Sequence, residues 1–358
     1  MIHEDLHRSI NETSIQIAGL IRSSDLSKDV SKERLYQRIM SLMNRLNDET
    51  QAVMPYAVAH SYYVGYQDAM KRLGMPYDDL VEIDDNLLEK MEAAGMSRQI
   101  HVEAIEAALD DTLLDLTTAY KTAADSAINT IDHSIATIQQ EVAQRFITGV
   151  SKEVITERVV QAFIKDGFTA FTTSDNKQLP LDFYARTVVN TKLAQADANG
   201  HLNRYRESDV DLVEFLTAGT SCGHCASHRG LIFSISGNSE QFPPLPPNLI
   251  PVHPNCRCTW IPVSLDYFTD DELQQAVDRQ AKGIVDIRTD HEKLKYEERV
   301  IRRRKKQQDQ RLYKRMLAKM PKETKGLTFN EFEHMRAEDN EEFRDLYSTY
   351  LSYSRFPF

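Results

Sequence analysis

The sequence predicts a mainly α fold that carries one small α+β module, with a long helical N-terminal arm and a charged helical C-terminal tail. Three observations predict it. Glycine and proline are scarce, 13 and 12 residues in a chain of 358, and the prolines crowd between Phe242 and Pro254. Little else along the chain breaks a helix. From Met96 to Thr148 neither residue occurs, and a continuous helix over that stretch is about 80 Å long. All four cysteines fall in one window, from Cys222 to Cys258. The length suits two or three domains, read here as 1–148, 149–268 and 269–358.

Residues 1 to about 95 read as short to medium helices. Ser31-Lys32-Glu33 starts one that continues through Leu35, Ile39 and Leu42. A second runs from Gln51 to Leu73, with Pro55 in its first turn. Its Tyr56, Tyr62, Tyr63 and Tyr66 read as a packed face with polar tips. Gly74-Met75-Pro76 ends it, and Asp84-Asp85-Asn86 caps a short helix.

In the 96–148 stretch, Ile128, Ile131, Ile135, Ile138 and Val142 recur at 3-4-3-4 spacing, the a/d seam of a helix that packs on another. The first half (Ile105, Leu109, Leu113, Leu116) follows a looser stripe, which leaves room for a break near Thr117-Thr118. Two readings stay open: a hairpin or bundle within the chain, or a rod that self-associates through the 128–142 seam or meets a partner's helices.

Beyond Gly149, Ser151 caps a helix through Val154, Val159 and Phe163 that ends at Asp166-Gly167. Residues 168–171 and 178–181 suit a small hairpin around Ser174-Asp175-Asn176. A helix spans Asp182 to Glu207. Strands follow at 212–216, 231–235 and 259–263. Thr269-Asp270-Asp271-Glu272 starts another helix, with acidic residues at its positive end. The tail is charged and helical, interrupted at Pro321–Gly326, with a second, acidic piece from Leu327 to Tyr350.

The net charge of −11 argues against general nucleic-acid binding. No apolar run reaches the ~18 residues of a membrane helix, so no membrane partner is expected. Met1-Ile2-His3-Glu4-Asp5 has neither the basic start nor the apolar core of a signal peptide. The expected compartment is a reducing cytosol, where thiol pairs read as metal ligands before disulfides.

The cysteines stand as Cys222-Gly223-His224-Cys225 and His253-Pro254-Asn255-Cys256-Arg257-Cys258, two pairs joined by a thirty-residue loop. C-x2-C and C-x-C pairs can wrap one tetrahedral Zn²⁺. On a strand, Cys256 and Cys258 point to one face and Arg257 to the other. His253 is the alternative ligand, in place of Cys256. His224, His228, Arg229 and Arg257 are placed to offset the charge of four thiolates or to donate to sulfur. The fold class is thus mainly α with a small α+β zinc-pinned module. Two disulfides, or free buried thiols, are the competing readings.

A closed four-cysteine site leaves no open position for water. The zinc deaminases need H-x-E or C-x-E followed by P-C-x-x-C, and that order is not met. A Cys-His nucleophile from Cys225 or Cys256 with His253 is conceivable, but no orienting group or oxyanion loop accompanies it. G-x-x-x-x-G-K-[ST], G-x-G-x-x-G and H-E-x-x-H are all missing. No enzyme is expected and no catalytic residue is assigned.

Arg186-Thr187 in a helix, the C-x2-C, Gly230 opening a strand and the late His-Pro-Asn-Cys-Arg-Cys resemble the Mu F-like minor head proteins of tailed phages, also called the head-morphogenesis or minor capsid family. The resemblance covers about residues 145 to 268, including the helix from Gly149-Val150-Ser151 to Phe163. It implies a structural protein, present in few copies, associated with the portal protein at the inner side of the procapsid. It implies a role in head assembly and in genome packaging or delivery. Location would be the virion, inside the head near the portal, after assembly in the host cytoplasm; partners would include capsid or scaffold protein and packaged DNA. Some relatives carry a C-terminal toxin domain, which the charged tail here does not suggest. Many have an acidic residue just before the first cysteine, where this chain has Thr217-Ala218-Gly219-Thr220-Ser221.

One stretch departs from the overall charge. Arg299 to Lys319 holds ten Lys/Arg against Asp309 alone, a local +9 that leaves −20 on the remainder. Charge runs are usually solvated helix. Here Arg302, Arg303, Arg304, Lys305, Lys306, Arg311, Lys314 and Arg315 repel one another and want an anionic partner. Candidates are DNA phosphates, an acidic portal surface, or the chain's own Glu331, Glu333, Glu338, Asp339, Glu341 and Glu342. Pairing with protein or with the chain itself ranks ahead of DNA. The alternative function is a zinc-containing nucleic-acid-binding module acting through this helix; an enzyme with a reactive cysteine ranks third.

Overall fold

Long gaps between helix-breaking residues produce long helices. The computed structural model describes residues 2–26, 28–77, 86–145, 152–166, 168–172, 177–320 and 322–355. The chain divides into two compact units. One holds Met1–Asn11, Met43–Thr122 and Ala170–Lys293; the other holds Glu12–Leu42, Ala123–Thr169 and Leu294–Phe358.

Helix α1 spans Ile2–Ser23 and α2 spans Asp29–Arg72. The two helices expected over the latter range are one, with Pro55 inside it. Proline removes the N–H that the Gln51 carbonyl would accept, but Gln51 lies on an exposed turn of the helix. Buried Met54, Ala57, Val58 and Tyr62 hold the helix together across that point. The tyrosines pack as expected: Tyr62, Tyr63 and Tyr66 are buried, while Tyr56 is exposed.

After α3 (Leu87–Ala93), α4 runs unbroken from Gln99 to Arg145. The break considered at Thr117-Thr118 does not occur, because alanines complete the stripe. Leu116, Ala119, Tyr120, Ala123, Ala127, Ile131, Ile135 and Ile138 are all buried. In the first unit, Tyr120 and Thr50 hydroxyls meet at 2.8 Å and Thr117 donates to Asn47 at 2.9 Å. In the second unit, Tyr36 donates to Asp132. Of the two readings left open for the seam, burial of Ile131, Ile135 and Ile138 fits packing within the chain; Ile128 is half-buried. The side chain of Val142 lies outside the described residues, as do the Gly149 break, the Ser151 cap, Asp84 and Asp85 of the expected cap and the Ser174–Asn176 turn; Asn86 stands at the N-cap of α3.

Helix α5 (Lys152–Asp166) leads to the paired strands β1 (Thr169–Thr172) and β2 (Gln178–Pro180). Helix α6 (Leu181–Glu207) follows and crosses α2 at backbone contact. A Cβ on Gly65 would lie 2.0 Å from the Asp197 carbonyl oxygen, and one on Gly200 would lie 2.1 Å from that of Tyr62. Around this crossing, His201 Nε2 donates to Asp68 at 2.9 Å, and Asn203 donates to the Tyr62 hydroxyl at 2.7 Å. That hydroxyl also sits 2.7 Å from Nδ1 of fully buried His101.

Strands β3 (Leu212–Leu216), β4 (Ile232–Ser234) and β5 (Thr259–Val263) form an antiparallel sheet in the order β4-β3-β5. Val213 pairs with Phe233, and Phe215 pairs with Trp260. Alternation sends Val213 and Phe215 to one face, where they pack with Trp260 and with Ala198, Leu202 and Tyr205 of α6. The opposite face, with Ile232 and Val263, packs on Leu273 and Ala276 of α8 (Asp270–Ala281). Thr269 starts α8 with a capping box to Glu272, as its sequence predicts.

In the tail, α9 spans Asp290–Lys319, α10 Phe329–Glu338 and α11 Glu341–Arg355. The expected single acidic helix is two, because Asp339 takes a left-handed conformation and Asn340 Oδ1 then caps α11 at Phe343 N, 2.9 Å away. Met316, Met320, Phe332 and Phe343 form the core of these three helices.

Candidate metal centre

The first cysteine pair sits on the turn after β3. Cys222 caps the four-residue helix α7 (Gly223–Ala226), its Sγ accepting from Cys225 N at 3.4 Å. Gly230, at φ 75°, turns the chain into β4. The second pair comes at the end of the proline-rich loop. Asn255, at φ 60°, reverses the chain there. Its N–H donates to Thr191 Oγ1 at 3.1 Å and its Oδ1 accepts from Asn190 at 3.0 Å, so α6 anchors the turn. Cys256 and Cys258 are buried and Arg257 is exposed. The alternation expected of the C-x-C pair therefore holds just ahead of β5.

These turns bring five donors together. His253 Nε2 lies 3.1 Å from Cys222 Sγ and 3.0 Å from Cys225 Sγ, and Cys225 Sγ lies 3.7 Å from Cys256 Sγ. The donors form two overlapping groups, Cys222–Cys225–His253 and Cys225–Cys256–Cys258, each within 4.8 Å. Cys225 belongs to both. All four cysteines are free thiols. His253 Nδ1 is 2.7 Å from the Pro254 carbonyl. A carbonyl only accepts, so Nδ1 carries the proton and Nε2 presents its lone pair to the sulfurs, the arrangement of a metal-ligating histidine.

The donor chemistry fits an ion. A tetrahedral Zn²⁺ with Zn–S of about 2.3 Å needs sulfurs about 3.8 Å apart, close to the Cys225–Cys256 separation. Without an ion the thiols share protons. Hydrogen bonds from Cys225 and Cys258 pull Cys256 down to about 2. The hydrogen bond to Cys256 pushes Cys225 strongly upward, with Cys258 and burial adding to it. Cys258 is drawn down by Cys225 but ends pushed up to about 12 by Cys256 and by burial. A cation satisfies the same sulfurs without a proton.

The groups expected around the sulfurs turn elsewhere. His224 and Arg257 are exposed. His228 Nδ1 bonds the His224 carbonyl at 2.9 Å and its ring lies on Phe215. Arg229 reaches Thr217, Ser221 and Glu292. Two arginines not expected from the sequence hold the knuckle instead. Arg279 donates to the carbonyls of Arg229, Ser227 and Gly283, each at 2.8 Å. Arg288, paired with Asp286 at 2.7 Å, donates to the Ser221 carbonyl at 3.2 Å. A Cβ on Gly223 would lie 3.0 Å from Arg288 Nη2, so the strap passes close over the C-x2-C turn. Their one sequence signal is an arginine late in a capped helix and an Asp-x-Arg after it, too common to single out.

Of the predicted basic residues, Arg302 to Lys306, Arg311, Lys314 and Arg315 all lie exposed on α9, apart in sequence from the donor cluster and in the second unit.

Fold and site together define a mainly helical protein with one thiol–imidazole knuckle on a small sheet. The family described as Phage minor capsid protein 2 matches residues 32–324. The chain belongs to that family, and so is a structural component of a phage head. The match reaches well beyond the 145–268 region on which the resemblance rested. No curated protein and no solved structure matches the chain. Among the described residues, no helix is long and apolar enough to cross a membrane.

Proposed function

We propose that the chain is a minor head protein that docks at the portal vertex, on the inner side of the procapsid, and supports head assembly and genome packaging or delivery. Family membership and the Mu F-like cysteine pattern support this reading. The observation that carries it is the five-donor knuckle. One ion there ties the β3–α7 turn to the chain entering β5, while α6 grips the same turn through Asn255. A small sheet fixed in this way presents a rigid docking body.

The ion is Zn²⁺, held by Cys222, Cys225 and His253, whose ligand atoms already lie within 4.8 Å of one another, with Cys256 closing in as the fourth ligand. His253 already aims a lone pair at the first pair, and Cys256 stands at the tetrahedral edge distance from Cys225. Cys258 then donates to the Cys256 thiolate. X-ray absorption at the zinc edge separates this set, with three sulfurs and one nitrogen, from the four-sulfur set that the sequence favours. The His253→Ala variant lowers zinc affinity by about 10- to 100-fold or more; unchanged affinity assigns the four-cysteine site.

Co-expression with the portal protein encoded beside it tests the docking. A defined complex with a few copies per portal ring supports the reading. A folded, metal-loaded chain that fails to bind the portal overturns it.

A further inference from the structure

Residues 301–308 of α9 are all exposed. That is more than two turns, about 12 Å of helix, in which, among the described residues, only Lys306 makes an ion-pair or ring contact with another element, at Glu333 and the Phe329 ring of α10. Arg302, Arg303, Arg304, Lys305 and Lys306 are consecutive, so at about 100° per residue they encircle the helix. Asp309, the single acid of the basic stretch, is 3% exposed and paired to Arg336 at 2.6 Å.

Three of the tail carboxylates expected to neutralise this charge have other partners. Glu331 closes the capping box of Thr328, Glu338 pairs with His334, and Asp339 pairs with Arg344. Glu333 approaches Lys306 only to 3.9 Å. Among the described residues, Arg302, Arg303, Arg304, Lys305, Arg311 and Arg315 enter no ion pair.

We infer that this span of α9 binds the phosphate backbone of double-stranded nucleic acid, lying in a groove between two phosphate walls. Three features favour that partner over an acidic protein. Protein interfaces centre on apolar and aromatic anchors, whereas 302–308 contains only Arg, Lys and Gln. Cations around the whole circumference suit a groove, which admits an α-helix and faces it from both sides, better than a flat surface. Guanidinium forks match phosphate oxygens. The −20 on the remainder of the chain repels the same polyanion, which confines contact to this helix. The inference is independent of portal docking.

The test titrates the full-length, metal-loaded chain against random-sequence duplex DNA, duplex RNA and polyglutamate at low and moderate salt. Binding to duplex is sequence-blind, and log K falls with log salt at a slope of about −4 to −5 for five phosphates. Replacing Arg302, Arg303, Arg304 and Lys305 together by Gln lowers affinity at least about tenfold and brings the slope toward about −1. Glutamine keeps helix propensity and all four positions are exposed, so unchanged melting confirms the fold. Tighter binding on DNA supports the groove reading, and tighter binding on RNA, whose A-form major groove is too deep and narrow for a helix, overturns it. No duplex binding at low salt, an unaffected four-glutamine variant, or polyglutamate competing as well as duplex overturns it.

Discussion

Around β3 the core is three short strands closed by two turns, and the turns converge on buried thiols and one imidazole. Around Met316 three helices close on one another through a run of rings, Tyr313–Phe332–Phe343–Tyr347–Tyr350, with successive centroids 5.4 to 6.1 Å apart. Asp309 and Arg336 pin that bundle with an ion pair. A helix satisfies its own backbone, so a few aromatic side chains are enough to hold three of them. Short strands joined by a proline-rich loop lack that local support, and the ordering entropy of the loop must be offset by a crosslink. The two regions should therefore respond oppositely to loss of metal and similarly to loss of packing.

The largest effect expected follows from Cys225, the donor shared by both groups. Cys225→Ser, or chelation, removes a contribution on the order of 10 kcal/mol. It melts the sheet module and leaves the helical signal and aromatic spectrum of the tail bundle in place. Simultaneous loss of both regions in calorimetry would break the comparison. Next is the α2–α6 crossing. Gly200→Ala forces a methyl 2.1 Å from the Tyr62 carbonyl, at a cost of about 3 kcal/mol, read as a lower unfolding midpoint of the metal-loaded chain. A neutral result would show that the two helices can move apart.

In the tail, Asp309→Ala costs about 2–3 kcal/mol, below a fully buried pair, because the Arg336 side chain keeps 30% of its surface exposed. It destabilises the bundle while zinc content stays unchanged; metal loss in this variant would contradict the separation of the two regions. The smallest effect comes from Thr328→Ala, which opens the α10 capping box at about 1 kcal/mol. Hydrogen exchange should rise in the first turn of α10.

Much of this was legible in the sequence. Strands β3 and β5 occur at the residues where apolar alternation puts them, and α8 starts at its capping threonine. The five donors announce themselves by spacing. Three kinds of feature were not legible. Alanines do not register as an apolar stripe, so α4 looked breakable although Ala119, Ala123 and Ala127 are buried. Pro55 reads as a helix start because its exposed surroundings are visible only in three dimensions. Asp339 gives no local sign of its left-handed conformation. Contacts far apart in sequence were invisible as pairs: Gly65 with Asp197, Gly200 with Tyr62, Arg279 with Ser227. A glycine inside a strong helical pattern is the one faint signal, since it costs about 1 kcal/mol against alanine and so asks for a packing reason.

The most direct measurement is the native mass of the full chain purified under reducing conditions with zinc present, followed by alkylation of the same sample. One zinc per chain, with Cys222, Cys225 and Cys256 protected until the ion is removed, is the result expected. A metal-free chain of full stability, with all four thiols alkylated at once, would contradict the knuckle as the device that holds this module together.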